Sequence, residues 1–205
     1  MVEKSEIPDY DEFKQKAIYR SEIAEDYVAF QKEIEDPENN PFPTPSGKIE
    51  IYSQRVADMN DPEVPPIPKY IETWESRNDP LAKKYPLQLF TTHAKRRAHT
   101  QFETIPWLRE LQPQALEINP IDAEARGIRD GDEVRVFNDR GETITRAEVT
   151  PRIMPGVVNL PEGAWYDPDE KGIDRAGSAN VLTNDRLSGP ASVPYNTNLV
   201  QVKKV

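Results

Sequence analysis

The sequence contains no cysteine, which excludes disulfides, thiolate-held metals, iron–sulfur ligation and a cysteine nucleophile within this chain. Histidine occurs only twice, so imidazole chemistry is confined to one place. No apolar run approaches the ~20 residues that cross a bilayer, and Met1–Lys16 lacks the apolar core of a secretory signal. Gly-x-Ser-x-Gly, Gly-Lys-Ser/Thr and Gly-x-Gly-x-x-Gly are all missing, leaving serine hydrolase, P-loop and Rossmann templates without a foothold. Glycine is scarce at 9 of 205 residues, whereas proline reaches 20. Ordinary shares are ~7% and ~5% respectively. Stiff connections therefore dominate the chain.

What is present begins with charge. The formal net charge is −10, which argues against nucleic acid as a partner and against direct insertion into a membrane. Residues 1–40 carry twelve acids and five bases, while the remainder is nearly balanced. Within 1–40, Asp9 and Glu12 have capping-box spacing, and apolar Phe13, Ala17, Ala24, Tyr27, Val28 and Ile34 recur at three- and four-residue steps. The pattern predicts one helix over about 10–35, stopped by Pro37. Residues 41–85 form a connector dense in proline, including Pro41, Pro43, Pro45, Pro62, Pro65, Pro66 and Pro68. Alternation in Lys48–Tyr52 predicts one short strand there.

From residue 86 onward, short apolar runs alternate with turn residues: Leu87–Thr91, Ala115–Ile118, Glu133–Phe137, Glu142–Val149, Gly156–Leu160 and Leu199–Val205. Six such strands predict a closed or nearly closed β-unit. Asn119, Pro120 and Gly127 mark a short helix between the second and third. Asn138–Gly141 reads as a hairpin connection, with Gly141 supplying a positive φ.

Both histidines sit in Thr92-His93-Ala94-Lys95-Arg96-Arg97-Ala98-His99-Thr100-Gln101, directly after the first strand. Cationic, hydroxyl and amide groups at a strand end can grip phosphate or pyrophosphate. On residues alone, a solvated basic loop with histidines that cap or pack is the preferred reading. Two histidines six apart with no third ligand nearby do not make a recognisable metal site. The acidic pairs Asp130/Asp132 and Asp167/Asp169 read as turn structure. A second polar set comprises Asn180, Thr183, Asn184 and Asp185, then Tyr195–Asn198. Amides there can read heterocycle edges or simply serve turns.

Several stretches taken together resemble the C-terminal part of molybdopterin oxidoreductases of the dimethyl sulfoxide reductase family. They are Phe42–Ser53, His93…Arg97-x-His99-Thr100, Glu117–Ala123 with Gly127–Asp132, and Asn180–Thr183. Val136–Glu142, Val149–Arg152, Met154–Val158, Gly163–Asp169 and Thr197–Val202 favour the S-oxide-reducing members over formate dehydrogenase or nitrate reductase types. The resemblance implies a mainly β fold with flanking helices. Residues 86–205 would form a six-stranded double-psi β-barrel that binds molybdopterin dinucleotide, and 1–85 the end of a preceding α/β domain plus its connector. It implies molybdenum bis(molybdopterin guanine dinucleotide) as cofactor, held together with further domains absent from this chain and not expected on the chain alone. Thr92, His93, Arg97, His99, Thr100 and Gln101 match the loop that meets pterin and phosphate. Asn180 and Asn198 match positions near pterin or guanine edges, with Trp165 and Asp185 as neighbours. No catalytic residue and no protein ligand to the metal is expected here. The chain is expected to be an excised piece of a catalytic subunit, inactive alone, whose full form works with an iron–sulfur electron-transfer subunit and a membrane-anchor subunit in an exported, membrane-associated bacterial complex. A non-catalytic double-psi barrel used for protein interaction is the competing reading. The leading one requires the His93–Gln101 and Asn180–Asn198 loops to share one concave surface.

Overall fold

A computed structural model describes residues 9–20, 26–187, 193 and 195–205. Two compact units divide it, Met1–Ser53 and Gln54–Val205. In the first, helix α1 (Tyr10–Lys16) starts because the Asp9 carboxylate accepts the Asp11 and Glu12 amides. Glu12 does not reciprocate as a capping box would; it pairs with Lys16 at 2.6 Å. The long helix anticipated over 10–35 is not formed. Ala17 turns left-handed at φ 61° and ends α1, and α2 (Gln31–Glu35) begins only after Phe30 at φ 60°. No residue of either helix is buried, so among the described residues the apolar stripe gains no burial to offset the cost of a longer helix. Ala24, one member of that stripe, lies outside the described residues. The strand anticipated at Lys48–Tyr52 is also absent. Its Lys48 carbonyl is taken by the Thr44 hydroxyl at 2.7 Å, and no second strand among the described residues pairs with it.

The second unit opens with α3 (Gln54–Ala57) and a 3₁₀ turn at Pro80–Lys83. It then builds β1 (Leu87–Phe90), α4 (Pro106–Leu111), β2 (Ala115–Ile118), α5 (Pro120–Glu124), β3 (Glu133–Phe137), β4 (Glu142–Val149), β5 (Val157–Asn159) and β6 (Asn198–Lys204). All six runs read from the sequence are strands, and they close into a barrel in the order β1-β5-β2-β4-β3-β6. Pairs β1/β5 and β2/β4 are parallel; the other four are antiparallel. Alternate side chains fill the interior: Leu87 and Leu89, Leu116 and Ile118, Val134 and Val136, and Val200 and Val202 are at most 1% exposed. Burial of each such side chain stabilises the fold by ~1.5–3 kcal/mol. Closure leaves no sheet edge for foreign pairing.

Local rules set the connections. The Asn119 side chain caps α5 by accepting the Ile121 amide at 2.9 Å, with Pro120 at the first helical position. The β3–β4 hairpin forms as read, but Gly141 is not at positive φ. Its requirement is space: a Cβ there would lie 2.6 Å from the Val181 carbonyl oxygen. Close backbone approach, rather than turn conformation, demands glycine.

Topology gathers the loops. Because β1 and β5 run parallel, with Leu89 beside Val158, the segments following both leave from the same barrel end. Antiparallel β6 begins there, Asn198 facing Leu89. The β3–β4 hairpin points toward the same end, since β3 runs antiparallel to β6 from Val134 beside Lys204 to Phe137 beside Gln201.

Candidate functional site

The loop after β1 remains zipped to the segment after β5. Leu160 donates its amide to the Phe90 carbonyl, and Glu162 donates its own to the Thr92 carbonyl, both at 2.9 Å. Thr92 adds its amide and hydroxyl to the Asn159 side-chain oxygen at 3.2 and 3.0 Å. Beyond that anchor the loop curls back through a bridge between Ala98 and Gln101. His99 takes φ 55° and Phe102 φ 72°, conformations uncommon outside glycine. Gly163 makes this possible, because a Cβ on it would stand 2.0 Å from the His99 carbonyl oxygen.

Arg97 is the loop's most enclosed cation, its side chain only 8% exposed. It pairs with Glu103 at 2.6 Å and donates to the Gln114 side chain at 2.7 Å and the Glu162 carbonyl at 3.0 Å. Gln114 passes the contact on, donating to the carbonyls of Pro161 and Gly177 at 2.8 Å. The guanidinium thus ties three segments together and presents its charge inward. His93 and His99 are exposed and point their rings at one another, centroids 4.9 Å apart, with the Glu162 carboxylate between them. Gln101 is exposed.

The second polar set divides in two. Asn198 is fully buried; its oxygen accepts the Asn184 amide at 2.9 Å and its NH₂ donates to the Tyr195 carbonyl. Asp185 is exposed on the outgoing loop. Asn180 is exposed at a 3₁₀ turn, Ala179–Val181. It lines a cavity of about 570 Å³ with Thr100, Ala164, Trp165, Tyr166, Ser178 and Val181. The His-bearing loop and the Asn180 segment therefore share one concave surface through Thr100, Trp165 and Asn180. Trp165 joins them directly, its indole N–H donating to the Thr100 carbonyl at 3.0 Å. Hydroxyl and amide groups with two half-exposed aromatic rings suit a heterocycle with polar edges.

Three positioning residues escaped the sequence reading. Asp174, fully buried, accepts the Thr143 hydroxyl, the Asp167 amide at 2.9 Å and the Ser178 amide at 2.7 Å, fixing both walls of the cavity. Arg140 clamps Glu75 in a two-pronged pair at 2.6 and 3.0 Å and donates to the Leu182 carbonyl at 2.9 and 2.7 Å. Glu75 in turn accepts the Leu199 amide at 2.8 Å. Only Asp174's burial and the 65-residue separation of Arg140 from Glu75 give these groups meaning, and neither is visible as a motif.

Among known proteins, the chain is 49% identical to dimethyl sulfoxide reductase DmsA of Escherichia coli strain K12, covering 98% of this chain and 26% of that protein. It is 41% identical to trimethylamine-N-oxide reductase 1 of the same strain, over 97% of this chain and 25% of that one. The chain thus spans about a quarter of the length of these relatives. In structure it matches acetylene hydratase from Pelobacter acetylenicus with a TM-score of 0.72 at 20% identity, covering 97% of this chain and 28% of the hydratase; that likeness establishes the fold. The family model described as molydopterin dinucleotide binding domain matches residues 87–198, the stretch from the first barrel strand to the start of the last, and the chain belongs to that family.

Proposed function

We propose that this chain is the cofactor-holding part of a molybdenum oxidoreductase that removes oxygen from an S-oxide or N-oxide. The observation that carries the reading is the cavity in which Thr100, Trp165 and Asn180 meet at one barrel end. The cofactor would be molybdenum bis(molybdopterin guanine dinucleotide), which when bound supplies the two-electron redox chemistry of oxygen removal. The residues present fit it in kind: hydroxyl and amide groups face the cavity, and the Asn180 amide is engaged by no side chain among the described residues.

This chain's part is binding and orientation. Thr92, His93, His99, Thr100 and Gln101 offer hydroxyl, imidazole and amide groups for pyrophosphate, and Asn180 and Trp165 face the ring system. Arg97 and Asn198, both enclosed, act by holding the loops in place: Arg97 through Glu103, Gln114 and the Glu162 carbonyl, Asn198 through Asn184. Asp185 lies near that second loop as a flanking acceptor. The remaining domains of the subunit would cover the exposed apolar side chains of the unit, among them Trp107, Leu111, Ile121 and Met154, each at least 60% exposed. An iron–sulfur subunit and a membrane-anchor subunit complete the proposed complex.

The test is made in the full-length enzyme. Asn180→Ala and Trp165→Ala should each lower bound molybdenum and dimethyl sulfoxide reduction in parallel, because both follow from lost cofactor. Unaltered molybdenum content and activity in both variants would remove the cavity from the cofactor site.

A further inference from the structure

We propose that the cavity between α4, β4 and the turn after Asp174 binds a small oxyanion of two or more charges, a phosphate or a dicarboxylate. It encloses about 500 Å³ and is lined by three guanidiniums from three separate elements, Arg109, Arg146 and Arg175. None of these belongs to the loop after β1 or to the Asn180–Asn198 set. The cavity shares no lining residue with the one formed by Thr100, Trp165 and Asn180, and the inference is independent of the cofactor reading.

Existing partners decide which of these charges remain available. Glu103 is engaged by Arg97 at 2.6 Å and stands 4.0 Å from Arg109 Nε, too far for a hydrogen bond. Arg175 commits Nε and Nη2 to Asp169 at 2.9 and 2.6 Å, while its Nη1 has no acceptor among the described residues. Arg146 stands opposite Glu133 in the β3/β4 register, yet its guanidinium makes no hydrogen bond or ion pair among the described residues. With Arg97–Glu103 and Arg175–Asp169 each neutral as pairs, Arg109 and Arg146 outnumber Glu133, the remaining carboxylate of the lining. Gln112 gives its side-chain oxygen to the Arg96 amide at 3.1 Å, which leaves its NH₂ as a neutral donor on the same wall.

The donor set selects the ligand class. A guanidinium presents a planar fork of N–H donors that matches the oxygens of phosphate and carboxylate, and it stays charged at any working pH. Three of them around one cavity suit an anion with oxygens on more than one side, which a single-atom ion such as chloride does not offer. The walls are set without a ligand: the Arg175 amide donates to the Asp167 carbonyl at 2.9 Å, the Gly131 amide to the Ala147 carbonyl at 2.8 Å, and the Arg109 amide to the Ile105 carbonyl at 3.2 Å. Binding therefore orders side-chain ends and leaves the backbone in place.

The experiment uses the full-length protein as purified, titrated calorimetrically with sodium phosphate and, separately, with sodium succinate, at an ionic strength held constant with sodium chloride. One saturable equivalent of at least one of the two anions is expected, and the tighter of them identifies the class of ligand. Arg109→Gln and Arg146→Gln should each weaken it at least tenfold. Arg146→Lys, which keeps the charge and loses the fork, should fall between Arg146→Gln and the parent. Both arginines are exposed, so the variants should keep the parent's circular dichroism, and their molybdenum content should stay at the parent level. Absence of saturable binding of both anions overturns the site, and is the result expected if an acidic side chain from the rest of the subunit fills the cavity. Undiminished affinity in either folded glutamine variant overturns it as well. So does loss of molybdenum from a folded variant, because the cavity then belongs to the cofactor.

Discussion

Replacing Arg140 by alanine tests whether the clamp behind the candidate site is held by charge pairing. The Glu75 carboxylate is 12% exposed as a side chain and accepts three bonds, two from Arg140 and one from the Leu199 amide. Truncation leaves it with a single backbone donor and no counter-charge. The Leu182 carbonyl is less affected, because the Asn138 NH₂ still donates to it at 2.8 Å. The loss is therefore chiefly that of a stranded carboxylate. Breaking a fully buried pair costs about 3–5 kcal/mol; the Arg140 side chain is 31% exposed, which places this pair near the low end, about 3 kcal/mol. With a urea dependence of ~2 kcal/mol per molar, the unfolding midpoint should fall by about 1.5 M. Urea unfolding followed by the fluorescence of Trp74, Trp107 and Trp165 reads it. The sharper expectation concerns the double variant. Glu75→Gln removes the stranded charge, so Arg140→Ala/Glu75→Gln should be at least ~1 kcal/mol more stable than Arg140→Ala alone. A cost below ~1 kcal/mol for the single variant, or no recovery in the double, would refute the reasoning.

Gly163→Ala should destabilise by about 2–4 kcal/mol, since it adds left-handed strain to a collision with the His99 carbonyl; a thermal midpoint within a degree of the parent would contradict this. Asp174→Ala strands the Asp167 and Ser178 amides and the Thr143 hydroxyl. Amide hydrogen exchange should quicken at residues 167 and 178 before it does in the barrel strands, and uniform exchange across the unit would argue against a local role. Acid sensitivity follows from depressed carboxyls. Asp139 is held below its ordinary range by hydrogen bonds from Lys84 and then Tyr85, and Asp169 by one from Arg175. A carboxyl whose pKa is lower when folded stabilises the protein above its unfolded value and loses that contribution as pH falls through the folded one. The urea midpoint should therefore be level from pH 7 to about 5 and decline below about pH 4, less steeply in Asp139→Asn; an identical decline in that variant would remove this pair as a cause.

The strands were legible because each carries its own alternation, as in Glu133–Phe137 with Val134 and Val136 inward. The short helix was legible because Asn119 and Pro120 act within one turn. The long helix at 10–35 was misread because periodicity reports a face suited to burial, and burial requires a partner surface that periodicity cannot supply. Lys48–Tyr52 failed for the same reason: alternation without a pairing strand satisfies no backbone hydrogen bonds. Gly141 was identified as needed, but the need comes from Val181, 40 positions away.

By itself, then, the sequence determined the local terms: six strand segments, their caps and turns, the exclusion of cysteine chemistry, and the concentration of cations and both histidines after β1. Tertiary structure decided how those groups are used. Parallel pairing of β1 with β5 brought Glu162 to the histidines, closure of the barrel brought Asn180 to Thr100, and burial gave Arg97, Arg140 and Asn198 partners in distant segments. The division has one physical cause. Propensity, capping and alternation act over a few residues, whereas the partner of a buried charge or amide is chosen by strand order, which no single segment encodes.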